Sequence, residues 1–402
     1  MAESTSERLA RYMRPGTLML AALPPLALYV HLPWCLRKCP YCDFNSHEWR
    51  DGGAPPEARY LAALRADLEA ALPFVWGRRV VSVFIGGGTP SLFSPDAIAT
   101  LIGDIRARLP LEPGAEIALE ANPGTFERDR FRAFREAGVT RLSIGVQSFD
   151  DARLRALGRV HDAAQARAAV EEAARHFETF NLDLMYALPG QTVAELGREL
   201  DEALAFAPPH LSVYHLTIEP NTLFAKRPPA GLPDDDQASD MLDCITERTA
   251  RAGLERYEVS AFAKAGQRCV HNLNYWQFGD YLGIGAGAHG KLSFPHRVVR
   301  QVRWREPASY MDNALAGTAI SNDEEVARRA LPFEFMLNAL RLREGFELSR
   351  FVERTGLPLS AIAAPLAEAQ TRGLIEQAGG WLKPTPRGFD FLSDLQSLFL
   401  AD

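Results

Sequence analysis

Three cysteines lie close together near the start of the chain. Cys35, Cys39 and Cys42 follow the spacing C-x3-C-x2-C and are three of the five cysteines in 402 residues. Bunched thiolates of this kind are ligands for an iron–sulfur cluster, in which each iron commonly takes one cysteine. The spacing therefore predicts a 4Fe-4S cluster in which one iron has no protein ligand and is free to bind a small molecule.

A structural zinc ion is the alternative use of these thiols. Zinc in such sites takes four ligands, commonly as two C-x2-C pairs, and the chain contains no second pair. His31 or His47 would have to complete the set. The spacing favours the cluster.

The elements that position this loop are predicted from hydrophobic patterning. Six short runs rich in Val, Ile and Leu alternate with helical patterns, which is typical of a parallel sheet with crossover helices. The runs are LALYVHL, VVSVFIGGG, EIALEANP, RLSIGVQSF, FNLDLMYALPG and HLSVYHLTIEP. Each run leads into polar or loop-forming residues, and the carboxyl rim of an α/β barrel is where its chemistry lies. Six units are fewer than the eight of a closed barrel, so the sequence predicts an α/β fold with a partial (β/α)6 TIM-like barrel.

The regular alternation fades after Pro220, and this change suggests further segments. We predict an N-terminal extension over 1–25, the partial barrel over 26–220, a barrel-completing segment with an aromatic loop over 221–323, and a C-terminal domain over 324–402. Short helices followed by a hairpin punctuated with Gly and Pro predict that the last domain is winged-helix-like. Its basic residues are scattered, which favours a structural lid over nucleic-acid binding.

Composition limits the classes of partner. A formal charge of −7 gives no reason to expect nucleic acid, which is bound through clustered Lys and Arg. The longest uncharged apolar stretch, 16–30, is too short to span a membrane and contains Pro24 and Pro25. An odd number of cysteines argues against a secreted disulfide framework and indicates a cytoplasmic protein.

The cysteine spacing resembles the signature of the radical S-adenosylmethionine (SAM) superfamily. In that superfamily the amino and carboxylate groups of SAM bind the fourth iron, and an electron from the cluster cleaves SAM to a 5'-deoxyadenosyl radical. The motifs YVHLPWCLRKCPYCDFN, GGGTPSL, LSIGVQSFD, GRVHD and DLMYALPGQT further resemble the HemN-like group of oxygen-independent coproporphyrinogen oxidases, across nearly the whole chain.

This resemblance implies a set of residues that bind SAM. Residues matching those that contact the cluster-bound SAM are Tyr29, Tyr41, Gly87, Gly88, Thr89 and Glu120. Residues matching those that hold a second SAM in the true oxidase are Gln147, Arg159 and Asp183. Whether one or two SAM molecules bind is left open.

Two features separate the chain from the true oxidase. The oxidase has a fourth cysteine two positions after the third, and this chain has Phe44 there. The form CPYCDFNSH is instead typical of a branch of the family regarded as heme chaperones. The segment HNLNYW matches a motif that this branch associates with heme binding, and its candidate heme contacts are His271, Asn272, Tyr275 and Trp276. An imidazole or a phenolate can ligate heme iron, and aromatic rings offer a flat apolar surface; the alternative is that these residues only pack over the barrel mouth.

The resemblance therefore implies a heme chaperone on a radical SAM scaffold, with a 4Fe-4S cluster, SAM and heme as its cofactors. The competing hypothesis is coproporphyrinogen III oxidase activity, which the complete set of SAM-binding segments motivates. The expected partners are heme, acceptor hemoproteins and an electron donor such as a flavodoxin or ferredoxin. A homodimer and a transient contact with a membrane surface are left open.

Overall fold

The computed structural model describes residues 3–50, 55–124 and 130–401. The strands of these residues, in chain order, are β1 (Leu26–Leu32), β2 (Trp34–Cys35), β3 (His47–Glu48), β4 (Val80–Gly87), β5 (Leu111–Ala121), β6 (Arg141–Gln147), β7 (Thr179–Tyr186), β8 (His210–His215), β9 (Glu255–Arg256), β10 (Ala261–Ala263), β11 (Asp280–Ile284), β12 (His289–Phe294), β13 (Arg297–Arg303), β14 (Ile320–Glu325), β15 (Phe346–Glu347), β16 (Ile375–Ala378) and β17 (Trp381–Pro384).

The α-helices of the same residues lie mostly between these strands. They are Thr5–Tyr12, Glu57–Ala71, Pro95–Arg108, Phe131–Glu136, Asp151–Ala156, Ala163–His176, Val193–Ala205, Leu223–Lys226, Asp235–Arg251, Val270–Trp276, Pro307–Leu315, Leu331–Ala339, Leu348–Thr355, Ala363–Thr371, Pro386–Asp390 and Leu392–Ser397. Short 3-10 helices are Leu72–Phe74, Pro90–Leu92, Arg328–Ala330 and Leu359–Ile362.

The main sheet is an open, mostly parallel barrel wall. Its order is β14-β13-β12-β11-β1-β4-β5-β6-β7-β8-β10-β9, and the block from β11 to β8 is parallel throughout. The remaining strands pair antiparallel at the two edges. The six predicted strands are β1, β4, β5, β6, β7 and β8, in sequential order, so the partial barrel is confirmed. The prediction lacked a seventh parallel strand: β11 pairs with β1 on the side away from β4.

The crossover helices between the parallel strands cover the outer face of this wall through apolar stripes. In the helix Glu57–Ala71, Tyr60, Leu64 and Leu68 are buried at the spacing of one helical face. Thr192 and Glu195 form a capping box that fixes the start of Val193–Ala205. Such caps set the helix starts and so determine where each strand-to-helix loop crosses the rim.

The C-terminal part has its own hydrophobic core and a winged-helix-like arrangement. A three-stranded sheet in the order β15-β17-β16 packs with the helices around Phe335, whose ring contacts Phe346 and Phe351. The hairpin between β16 and β17 turns at Gly379 and Gly380, which both have positive φ. This hairpin is the predicted Gly-rich wing.

The N-terminal extension is bound to the barrel through Tyr12. Its ring packs against Phe74 and Phe294, and its hydroxyl donates a hydrogen bond to Asp323. The predicted limits of the four segments stay predictions. None of the helices in the described residues has the length and apolar character needed to cross a bilayer.

Candidate cofactor-binding cavity

A cavity of about 400 Å³ occupies the interior of the barrel. Alternate residues of each pleated strand face inward, so Arg141, Ser143, Gly145 and Gln147 of β6 all line it. The cavity opens beside the cysteine loop at the carboxyl ends of the strands and reaches the amino ends, where Arg141 and His210 begin β6 and β8. Twelve of the predicted cofactor residues line it: Cys35, Cys39, Cys42, Tyr41, Gly87, Gly88, Thr89, Glu120, Gln147, Arg159, Asp183 and Asn272.

The cysteine segment is a loop held between two short strands. β2 ends at Cys35, and β3 pairs with it in parallel. The backbone N–H of Trp49 donates to the carbonyl of Cys35 at 2.9 Å, and that of Cys42 donates to the carbonyl of Cys39 at 3.1 Å. These bonds close the loop at its base and turn it at its tip, so all three thiols lie at the cavity mouth.

The surroundings of the thiols suit metal ligation. Arg159 Nη1 lies 3.6 Å from the Sγ of Cys39, and Ser46 Oγ lies 3.6 Å from the Sγ of Cys42. Burial raises the pKa of the Cys35 thiol to about 11, so a metal must displace its proton on binding. A guanidinium beside the thiols stabilises the negative charge that ligation brings.

The number of thiols matches a cluster in which one iron has no protein ligand. Within the described residues, no three His, Cys, Asp or Glu side chains converge to hold one metal ion, as a zinc site requires. A four-iron cluster instead distributes its thiolates over separate irons. Phe44, at the position of the oxidase's fourth cysteine, has a 62% exposed side chain.

The glycines at the end of β4 allow the strand to pack against the cysteine loop. A Cβ on Gly88 would lie 2.5 Å from the carbonyl oxygen of Trp34, and Gly87 has φ +122°. The N–H of Thr89 donates to that same carbonyl at 2.8 Å. Glycine is required here for the close approach of two backbones, and this approach places Thr89 on the cavity wall.

Two carboxyl groups share the interior. Gly87 N–H donates to Glu120 Oε2 at 3.0 Å. Burial raises the pKa of Glu120 to about 8, and the negative charge of Asp183 adds to the rise. Asp183 accepts hydrogen bonds from Ser143 at 3.0 Å and Asn181 at 2.8 Å, yet burial also raises its pKa. A ligand that donated hydroxyl hydrogens to Glu120 would favour its ionised form.

Arg159 is held by a chain of hydrogen bonds that the sequence did not predict. Its Nη2 donates to Asn122 Oδ1 at 2.5 Å and to the carbonyl of Gly145 at 2.8 Å, and Asn122 Nδ2 donates to Thr89 Oγ1 at 2.8 Å. Asn122 lies two residues after Glu120, on the same inward face, and that spacing was the available signal.

Gln147 follows a register shift in β6 and has φ +66°, and such bulges redirect side chains at functional sites.

The HNLNYW segment forms a helix, Val270–Trp276, and not the predicted aromatic loop. It packs inside the barrel wall near the amino ends of the strands: His271 Nδ1 lies 3.1 Å from Ser82 Oγ of β4, and Val270 N–H donates to Glu116 of β5 at 3.1 Å. The cysteines lie at the opposite, carboxyl rim. Because Gly87 is five positions after Ser82, the two ends are about 16 Å apart along β4.

The residues of this helix point in different directions. His271 is 2% exposed, and its ring stacks on Phe84 at 4.9 Å and meets Tyr275 edge-on at 4.9 Å. Tyr275 packs on Tyr281 of β11, and Trp276 lies under the Arg341 guanidinium at 4.2 Å. Asn272 alone of the four candidate heme contacts lines the cavity.

The chemistry of His271 fits an iron ligand. Burial lowers its pKa to about 3, so the imidazole is neutral, and within the described residues its buried Nε2 has no hydrogen-bond partner. Burial raises the pKa of Tyr275 well above its ordinary value, which disfavours a phenolate ligand. Tyr29, a predicted SAM contact, is not among the residues that line the cavity: its hydroxyl donates to His31 Nδ1 at 2.9 Å, and its ring lies roughly parallel to that of Phe84 on the neighbouring strand.

Comparison with known proteins defines the class. Residues 29–203 match the Radical SAM superfamily model, and 326–391 match the HemN C-terminal domain. The solved structure described as "Coproporphyrinogen III oxidase (HemN) from Escherichia coli is a Radical SAM enzyme" superposes with a TM-score of 0.81 at 23% identity, covering 99% of this chain and 93% of that one. This likeness shows the fold. Fold and cavity together define a radical SAM protein of HemN-like architecture, a class that uses a 4Fe-4S cluster and SAM.

Sequence relatives narrow the class to one family. The chain is 46% identical over 385 residues to "Heme chaperone HemW" of Escherichia coli (strain K12), covering 95% of this chain and 100% of that protein. It is 34% identical over 381 residues to "Heme chaperone HemW" of Bacillus subtilis (strain 168), covering 93% and 99%. The chain belongs to the HemW family of radical SAM proteins.

Proposed function

We propose that this protein is a heme chaperone: it holds a 4Fe-4S cluster and SAM at the carboxyl rim of the barrel, binds heme through the helix Val270–Trp276, and passes heme to acceptor hemoproteins. The observation that carries the proposal is the HNLNYW helix, where the buried His271 Nε2 has no hydrogen-bond partner in the part of the chain that the structure describes. The relatives named heme chaperones match nearly the whole chain.

The residues at the rim have separable roles in this proposal. Cys35, Cys39 and Cys42 would each hold one iron, and the fourth iron would be left for SAM. Arg159 balances the thiolate charge, and Glu120 accepts hydroxyl hydrogens of the nucleoside. A reduced cluster held by these cysteines would be able to supply an electron to bound SAM.

The amino-terminal end has a different role. Because His271 Nε2 is buried, a porphyrin reaches it only after the helix Val270–Trp276 moves. Tyr275 and Trp276 would then offer apolar ring surface to the macrocycle. Binding at one end of the barrel leaves the cluster at the other end intact, which suits a protein that carries heme without transforming it.

Heme titration of His271→Ala tests the ligand. We expect weaker heme binding with unchanged visible absorption of the cluster, because the residue lies at the far end of β4. His176→Ala is the matched control, since His176 ends the outer helix Ala163–His176 and bonds to Glu172. Unchanged heme affinity in His271→Ala would remove the ligand from the proposal.

A second assay distinguishes heme-chaperone function from coproporphyrinogen III oxidase activity. The oxidase is tested because the cavity retains residues predicted to bind SAM. Cluster-reconstituted protein is given reductant, SAM and either coproporphyrinogen III or heme. Stable heme binding followed by transfer to an apo-acceptor, with no porphyrinogen oxidation, supports the chaperone. Rapid SAM-dependent formation of protoporphyrinogen contradicts it as the sole function. The electron donor, a homodimer, membrane contact and the cytoplasmic location stay predictions.

A further inference from the structure

Among the residues that the structure describes, one side-chain hydrogen bond reaches the His271 imidazole. Ser82 Oγ lies 3.1 Å from His271 Nδ1, and both residues are buried, Ser82 completely. Ser82 lies near the amino end of β4, two residues before Phe84, on the same inward face. Phe84 covers one side of the ring and Tyr275 meets it edge-on, so the ring is fixed by packing and by this one bond.

The hydrogen bond can run in either of two senses, with Ser82 as the acceptor or as the donor. Each sense leaves a different atom without a hydrogen-bond partner. If Ser82 Oγ accepts Nδ1–H, the neutral ring carries its electron pair on Nε2. If Ser82 donates to Nδ1 instead, the proton is on Nε2, and a buried N–H is left without an acceptor among the described residues. The first sense leaves the buried Ser82 hydroxyl hydrogen without a further acceptor among the described residues, so neither sense satisfies every donor. Only the first sense leaves the Nε2 electron pair free to bind a metal.

We infer that Ser82 is a positioning residue for the heme site: it accepts the Nδ1–H of His271 and so presents the Nε2 electron pair to iron. The inference rests on the proposed function, because it assigns a role to Ser82 only where His271 binds heme. Histidines that ligate metals almost always donate the other ring N–H to a partner that fixes the tautomer and ring orientation. Ser82 occupies that place before any heme is bound.

Heme titration of the full-length, cluster-reconstituted protein tests the inference in Ser82→Ala and Ser82→Thr. We expect Ser82→Ala to bind heme about 10- to 100-fold more weakly and to give a changed optical spectrum for each bound heme. Ser82→Thr keeps the hydroxyl and should restore both. Ser148→Ala is the matched control, since Ser148 is equally buried but bonds to Glu199, outside the cavity lining; its affinity and spectrum should equal those of the wild type.

Each outcome bears on a different statement. Wild-type affinity and spectrum in Ser82→Ala, with heme binding lost in His271→Ala, overturn the role of Ser82 and leave the proposed function standing. The role of Ser82 is also overturned if Ser82→Ala loses heme affinity, Ser82→Thr does not restore that affinity, and Ser82→Ala unfolds at the same temperature as Ser148→Ala. In that case the packing of the side chain, and not its hydroxyl group, is responsible for the loss. Absence of heme binding in the wild type would overturn the proposed function itself.

Discussion

Replacing Gly145 by alanine tests the geometry of the SAM cavity without removing any polar group. The new Cβ would lie 3.2 Å from Gln147 Nε2 and 3.3 Å from both Arg159 Nη2 and Asn122 Oδ1. Gly145 has no left-handed backbone conformation, so alanine is compatible with the strand. The clash falls on three side-chain ends, which must each retreat by a few tenths of an ångström.

The expected magnitude follows from the cost of such overpacking. Inserting a methyl group into a well-packed site costs about 1–3 kcal/mol. If Gln147, Arg159 and Asn122 all face bound SAM, that cost appears in binding, and SAM affinity falls about 5- to 150-fold. Isothermal titration of SAM into anaerobic, cluster-reconstituted protein measures the change, with iron content confirming that the cluster is retained.

A matched substitution separates this effect from a general effect of alanine. Gly103 lies in the helix Pro95–Arg108, and a Cβ there would meet nothing within 4 Å. Gly103→Ala should leave SAM affinity unchanged and add about 1 kcal/mol of stability. If Gly145→Ala binds SAM as tightly as Gly103→Ala does, these side chains do not surround SAM and the assignment of the cavity is refuted.

Three further predictions address the cluster, the acid–base state of the cavity and the support of the helix Val270–Trp276. Cys39→Ala should lose iron and acid-labile sulfide on anaerobic isolation, whereas Cys244→Ala, a half-buried cysteine of an outer helix, should keep both; equal iron in the two variants would exclude Cys39 as a ligand. Because the pKa of Glu120 is raised from 4.5 to about 8, the folded chain holds its proton more tightly than the unfolded chain, so stability falls as pH rises from about 4.5 to 8. Glu120→Gln should therefore gain stability relative to the wild type between pH 6 and pH 8.5 in urea unfolding, and a constant difference would contradict the assigned pKa. Lys291 donates to the carbonyls of Phe278 and Gly279 and pairs with the buried Asp280 at 3.0 Å, and Arg78 is a second cation beside Asp280, at 2.8 Å. Lys291→Met should cost about 3 kcal/mol of unfolding free energy; a loss below about 1 kcal/mol would show that Arg78 alone neutralises Asp280.

The barrel was predictable because its strands carry their own signal. Each of β1, β4 and β6 is an apolar run bounded by loop residues, and burial on both faces makes the pattern independent of the final packing. β11 has no such signal: the run Asp280–Ile284 is short and leads into GAGAHG, which is typical of a loop. Its pairing with β1 on one side and β12 on the other makes it a strand.

The sequence indicated those parts of the site in which the residue type alone suggests the chemistry. It did not indicate the parts whose position depends on tertiary contacts. Three cysteines at close spacing indicate metal ligation without any fold. The helix Val270–Trp276 has no such local code, since His, Asn, Tyr and Trp are indifferent helix formers; contacts with Ser82 and Glu116 hold it inside the barrel. The sequence did not mark Gly145 as a site residue, because its importance depends on three side chains, Gln147, Arg159 and Asn122, that lie close to its Cα in the folded chain.

The Phe84 ring has a consequence for anyone who studies the two ends of the barrel separately. The Phe84 ring stacks on the His271 imidazole, and the side chain also lines the cavity. The same ring therefore contacts both the proposed SAM cavity and the proposed heme ligand. If both proposed ligands bind, a substitution of Phe84 should change the affinity for each of them. If SAM binding changes the affinity for heme through this ring, heme binding must change the affinity for SAM by the same factor.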